Sequence, residues 1–164
     1  MSEGATAVVW LNQDLRLHDN QALYHASLKY DSLIILYILD ETIARELGDR
    51  QRWWLYYNLK NLNQDLSKKH NANLLFIEGS PEKHFKSITK QHSVDAIYWN
   101  KSYMPHDRHY MALFDKLAKT QTIEIQSFNS HLWTNPAVIK NKSGGYYKVY
   151  NAFVRFLFVP VNAG

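Results

Sequence analysis

The polar residues best placed to do chemistry follow short apolar runs. Residues 12–19 follow the apolar run 7–11 and bring Asp14, Arg16, His18 and Asp19 into one loop. Further polar loops span residues 40–48, 79–81, 100–109 and 129–134. If the apolar runs are parallel strands, these loops lie at their carboxyl ends, where open parallel sheets bind ligands. Asp14 and Arg16 are expected to pair across the first turn. Asp19 is expected to cap the next helix and favour its N-terminal dipole. On that reading Asp14, Arg16, Asp19 and Asn20 shape the loop and do not touch a substrate. His106 and His109 share one side of a helical turn. They lack a third partner, so they read as surface histidines and not as zinc ligands.

Several chemistries are excluded by absent motifs. The six glycines, at positions 4, 48, 79, 144, 145 and 164, form neither GxGxxG nor a P-loop, so the usual dinucleotide and triphosphate cradles are missing. There is no GxSxG and no HExxH. With no cysteine in 164 residues, disulfides and thiolate metal sites are ruled out, which suits a reducing cytoplasm. No apolar run approaches membrane length and no signal-like segment opens the chain, so the expectation is a soluble, cytoplasmic protein. The net charge of +4 is mild. The lysines at 68–69 and 140–148 read as solvated surface and not as a DNA groove.

The elements that must position these loops are legible as alternating patterns. Apolar runs at residues 7–11, 33–39, 74–77, 96–99 and 123–128 suit buried parallel strands. Between them lie helical patterns. One follows Asp19 over residues 20–29. A long one over 49–70 carries Leu55, Leu59, Leu62 and Leu66 at helical spacing. Ser80-Pro81-Glu82 reads as a cap followed by proline at the first helical position. Met111, Phe114 and Leu117 mark one face of a helix starting near Pro105. The order βαβαβαβαβ predicts an α/β, Rossmann-like, doubly wound five-stranded parallel sheet with helices on both faces. The tryptophans Trp53, Trp54 and Trp99 are expected in the core, with a flat pocket for a conjugated ring as the alternative. The pattern changes after Phe128, and the expected division is 1–134 as the α/β domain and 135–164 as the start of a linker.

Four segments in order carry a resemblance. Residues 10–23 read Trp10-Leu11-Asn12-Gln13-Asp14-Leu15-Arg16-Leu17-His18-Asp19-Asn20-Gln21-Ala22-Leu23. This is similar to the opening signature W-F-R-x-D-L-R-L-x-D-N-x-A-L of the photolyase/cryptochrome family. Arg52-Trp53-Trp54-Leu55 is a second match, and Trp99-Asn100 with Pro105 and Arg108 a third. Tyr146-Tyr147-Lys148-Val149-Tyr150 with Phe153 resembles the family's Y-K-V-F-x-x-F. Trp10, Asp14, Arg16, Asp19 and Asn20 are thereby the structural signature of the fold.

The resemblance implies an N-terminal domain that binds a light-harvesting chromophore: methenyltetrahydrofolate, or alternatively a deazaflavin or FMN. The half that holds FAD and DNA in that family, and drives light-dependent repair of pyrimidine dimers, is expected beyond Gly164. No catalytic residue is therefore assigned here. Asp107 is similar to the acidic residue of folate-type members, with His106 beside it and Asn100 and Arg108 on the same loop. Asp40 matches an acidic position of deazaflavin-type members, although their other acidic positions fall on Ser102 and Met104. Asn12 and Gln13 stand where the family carries arginine, which is expected to weaken contacts to the chromophore or the second domain.

The chain alone is expected to bind DNA weakly and not to repair it. The alternatives are a stand-alone folate, flavin or nucleotide sensor, a module docking a separate FAD-domain chain, or an inactive remnant. Self-association is expected through an apolar face near residues 146–158. The tail at residues 158–164 leaves the family pattern, which suits a truncated chain.

Overall fold

Five short apolar runs pair edge to edge into one all-parallel sheet. The computed structural model describes residues 4–40 and 47–158. The strands are β1 (Thr6–Leu11), β2 (Ser32–Leu39), β3 (Leu74–Glu78), β4 (Ala96–Asn100) and β5 (Glu124–Phe128), in the spatial order β3-β2-β1-β4-β5. All four pairings are parallel. Four helices connect them: α1 (Gln21–Lys29), α2 (Asp49–His70), α3 (Pro81–Gln91) and α4 (Asp107–Gln121). The expected architecture is thus observed. The chain divides into two compact units, one ending at His131 and the other beginning at Leu132. Residues 41–46 and 159–164, which include parts of the segments singled out above, lie outside the described residues. Among the described residues, no helix is long and apolar enough to cross a membrane.

Alternation along the strands sorts two cores. On one face Val8, Trp10, Leu36, Ile97 and Trp99 meet Phe85 and Ile88 of α3 and Tyr110, Phe114 and Leu117 of α4. On the other, Ala7, Val9, Leu11, Ile35 and Tyr98 meet Ala22 and Ala26 of α1 and the four leucines of α2. Leu55, Leu59, Leu62 and Leu66 are all buried, and each contributes about 1.5–3 kcal/mol by leaving water. The first face is strongly aromatic. Trp10 stacks on Trp99 at 5.7 Å and receives Tyr110 edge-on at 4.8 Å.

Three local expectations are corrected. The cap of α1 is Asn20, whose Oδ1 accepts the Leu23 amide; Asp19 sits instead at φ 49 in the left-handed turn before it, where a carboxylate residue is tolerated. Met111 points outward, and the buried face of α4 is Tyr110, Leu113, Phe114 and Leu117; the helix begins at Asp107, two residues after Pro105. Trp53 and Trp54 are 64% and 57% exposed, because the buried stripe of α2 is filled by its leucines.

One charged cluster ties α1 to β5. Glu124 accepts from Lys29 Nζ and from the Tyr30 hydroxyl. The Lys29 hydrogen bond holds the Glu124 carboxyl below its ordinary value of 4.5, and Glu124 holds the Lys29 ammonium above 10.5. A depressed carboxyl stabilises the fold above its unfolded pKa and loses that contribution as pH falls through the folded one. Glu124→Gln should therefore melt below the parent at neutral pH. The gap in Tm should close as pH drops below about 4, as thermal melts across pH would record.

The second unit, described over residues 132–158, holds a short 3-10 turn (Pro136–Val138) and α5 (Tyr150–Phe158). Asn141 organises its turn by accepting the amides of Ser143 and Gly145. Tyr146, Val149, Tyr150 and Phe158 are exposed.

Candidate functional site

The crevice between the carboxyl ends of β1 and β4 is where the strand order reverses and where ligands are generally held. Here it is filled by a polar knot. Asp14 is 1% exposed and Asn100 0% exposed. The Asp14 carboxylate accepts from the Asn12 amide at 3.0 Å, from Asn20 Nδ2 at 3.2 Å and from Asn100 Nδ2. Asn100 Nδ2 also donates to Asn20 Oδ1 at 2.8 Å, and Asn100 Oδ1 accepts the Ala22 amide at 3.2 Å. Asp14 therefore joins the asparagines and not Arg16, which corrects the expected pairing. Arg16 reaches the other way, donating to the Asp19 carbonyl at 3.1 Å and to Ser130 O and Oγ at 2.8 and 2.9 Å. It fastens the β1–α1 loop to the segment after β5. Asn100 was a candidate ligand contact. Its side chain is wholly enclosed with both amide atoms engaged, so it has no surface to offer one.

The open space lies one strand over, at the ends of β1 and β2. A cavity of about 420 Å³ is lined by Asn12, Gln13, Tyr37, Asp40, Arg50, Gln51, Trp54, His106 and Tyr110 among others. Asp40 is 9% exposed and accepts the Tyr110 hydroxyl at 3.1 Å. Burial, reinforced by the Asp40 carboxylate, pushes the Tyr110 phenol well above its ordinary value. Burial alone pushes Tyr37 up to about 12. Both phenols are therefore neutral at physiological pH and serve as ring surfaces and hydroxyl donors. Asn12 keeps its Nδ2 buried with no hydrogen-bond partner among the described residues. The site thus sets the Asp40 carboxylate among the aromatic side chains of Tyr37, Trp54 and Tyr110.

The remaining candidates separate. His106 lines the cavity and lies against Tyr110, ring centroids 5.6 Å apart. Asp107 does not line it. Its carboxylate turns back into the β4–α4 loop and accepts the amides of Ser102 at 2.8 Å and Tyr103 at 2.6 Å, together with the Ser102 hydroxyl. This holds Tyr103 at φ 62. Arg108 is exposed and outside the cavity. No cluster of three metal-ligating side chains exists among the described residues. A larger groove of about 840 Å³ runs between α1 and α2. Its titratable lining residues His18, Asp19, Asp31 and His70 are exposed, and its buried polar residue Asn20 is engaged in the β1–α1 network, so it lacks the converging free polar groups of a binding site.

Sequence reasoning missed Tyr37, Gln51 and Tyr110 as lining residues. Tyr110 carried a usable signal, since it stands one helical turn after His106 on the same face. Tyr37 carried another, as the single polar-tipped residue inside an Ile- and Leu-rich run.

The family model for DNA photolyase matches residues 7–158. The chain is 31% identical to a deoxyribodipyrimidine photo-lyase of Agrobacterium fabrum, over 93% of this chain and 32% of the relative. It is 31% identical to cryptochrome-2 of Gallus gallus, over 94% of this chain and 27% of the relative. The crystal structure of a bacterial class III photolyase from Agrobacterium tumefaciens superposes with a TM-score of 0.86 at 33% identity, covering 96% of this chain and 32% of that one. An archaeal photolyase from Sulfolobus tokodaii, solved with two FAD molecules, shares the fold at a TM-score of 0.73 and 23% identity, over 92% of this chain and 34% of that one. The chain thus spans about a third of the length of these relatives. It belongs to the DNA photolyase family and has the fold of that family's N-terminal α/β domain.

Proposed function

We propose that the Asp40 cavity holds a light-harvesting chromophore, and that this chain serves as the antenna domain of a light-driven DNA-repair protein. The observation that carries this reading is the Asp40 carboxylate, which lines one cavity together with Tyr37, Trp54 and Tyr110. A uracil-like ring edge presents an N–H flanked by carbonyls. The carboxylate can accept that N–H while the aromatic side chains flank the ring. The volume is within the range of small-molecule sites. This favours a flavin or deazaflavin over methenyltetrahydrofolate, because the Asp107 carboxylate that folate-type members would use is already engaged by its own loop.

When bound, such a ring absorbs near-ultraviolet or blue light and passes the excitation on. The protein residues bind it, orient it and exclude water. In this proposal the receiving FAD and the DNA contacts belong to a separate helical domain or chain. The exposed Tyr146, Val149, Tyr150 and Phe158 of the second unit supply an apolar surface for such a partner. DNA binding by this chain alone should be weak and fall steeply between 50 and 200 mM salt, in the roughly log-linear manner of phosphate contacts.

The test is an absorption and fluorescence titration of the purified chain with FMN, a deazaflavin and methenyltetrahydrofolate. The expected result is saturable uptake of a flavin-type ring with an altered spectrum. Uptake of folate alone, abolished by Asp107→Asn and indifferent to Asp40→Asn, would overturn the assignment of the ring to this cavity.

A further inference from the structure

The two edges of the sheet are built differently. β5 presents Glu124, Gln126 and Ser127, the polar residues that keep a free edge from pairing. β3 reads Leu74-Leu75-Phe76-Ile77-Glu78, with no proline, no lysine and no bulge. Leu75 and Phe76 are 41% and 45% exposed. Main-chain groups alternate sides along a strand. Gly79 donates to Leu39 of β2, so Leu75, Ile77 and Gly79 bond inward. The Phe76 N–H and C=O and the Glu78 N–H consequently face outward, while the Glu78 carbonyl already accepts from His84 Nε2 at 2.9 Å. The Leu74 N–H is taken by Asn63 Oδ1 of α2 at 2.8 Å.

We propose that two copies of this chain pair β3 to β3, antiparallel about a two-fold axis through Phe76, into one continuous sheet. This register satisfies several independent requirements at once. The two Phe76 residues exchange both main-chain hydrogen bonds, and each Glu78 N–H donates to Leu74 C=O of the second copy. Phe76 already stacks on Tyr37 at 6.0 Å and 8°, so the aromatic row continues across the axis. On the opposite sheet face Leu75 meets Ile77 of the second copy. Each Glu78 arrives beside Leu74 of the second copy, in the groove that Lys60 also lines, so opposite charges meet twice. Centring on Glu78 would oppose two carboxylates, and centring on Leu74 would require an amide already bonded to Asn63. The Phe76 register leaves the Leu74 N–H on Asn63 and the Glu78 carbonyl on His84 Nε2, and its self-complementarity is what a two-fold interface requires.

Sedimentation velocity of the whole chain over about 1–200 µM tests this. The expected result is a concentration-dependent shift from 19.3 kDa toward twice that mass. Phe76→Lys should weaken association by at least about a hundredfold through like-charge repulsion at the axis, with circular dichroism unchanged. Lys60→Glu and Glu78→Lys should each weaken it, and the double exchange should restore it. That restoration is a signature a merely structural role would not give. A parent that stays monomeric throughout overturns the proposal. So does a dimer that survives Phe76→Lys but is dissolved by changes at Tyr150 and Phe158.

Discussion

Asp14→Ala lowers the unfolding free energy by about 3–5 kcal/mol, the scale expected when one partner is removed from a buried charged network. The carboxylate gathers Asn12, Asn20 and Asn100 in a space where Asp14 and Asn100 are almost wholly enclosed. Alanine leaves the Nδ2 groups of Asn20 and Asn100 short of an acceptor, and each unsatisfied buried donor costs about 1–3 kcal/mol. Asn20 also caps α1, so its misalignment frays that helix. Urea denaturation of the parent, Asp14→Ala, Asn100→Ala and the double variant measures the effect. The two single losses should overlap, with a coupling of about 0.5–3 kcal/mol. A loss below about 1 kcal/mol for Asp14→Ala would mean that the asparagines satisfy one another without it.

Asp40→Ala and Asp107→Ala should separate on affinity. Asp40 lines the cavity and meets Tyr110 at its wall. Its removal should weaken binding of a flavin-type ring by about 10–100-fold, the value of a charge-assisted hydrogen bond, and should also cost about 1–3 kcal/mol of stability because the buried Tyr110 hydroxyl loses its acceptor. Asp107 is spent inside the loop after β4. Its removal should cost about 1–3 kcal/mol of stability and leave affinity within about twofold. Paired calorimetric melts and fluorescence titrations read both quantities on each variant. Affinity lost with Asp107→Ala and retained with Asp40→Ala would reverse the assignment.

The strands and α2 were legible because their signals are local. Apolar runs of four to eight residues and leucines at helical spacing need no tertiary knowledge. What was not legible depends on packing between distant segments. Asp14 and Asn100 stand far apart in the chain, and nothing in either neighbourhood announces that one carboxylate will take up the other's amide. Arg16 looked like a partner for Asp14 by proximity, yet its guanidinium is drawn to Ser130. Trp53 and Trp54 misled because size was read as burial, whereas the stripe of α2 was already full. Of the candidate site residues, Asp40 and His106 line one cavity. Asp107 and Asn100 carried the same chemical types and proved to be consumed by the backbone around them. Residue type alone does not distinguish a carboxylate that faces a ligand from one that closes a loop.

The polar knot and the cavity are adjacent but share few residues. Asp14, Asn20 and Asn100 fix the loop ends, while Gln13, Gln51 and Trp54 line the space without joining that network. On the proposed antenna reading, pigment choice and scaffold are therefore largely separable traits. Changing Gln13 and Trp54 should retune the absorption maximum or the choice of pigment, and the melting temperature should barely register it, whereas Gln51 also caps α2 through the Gly48 N–H. The proposal thus implies that different pigments are accessible on this one frame by altering side chains that hold no part of it together.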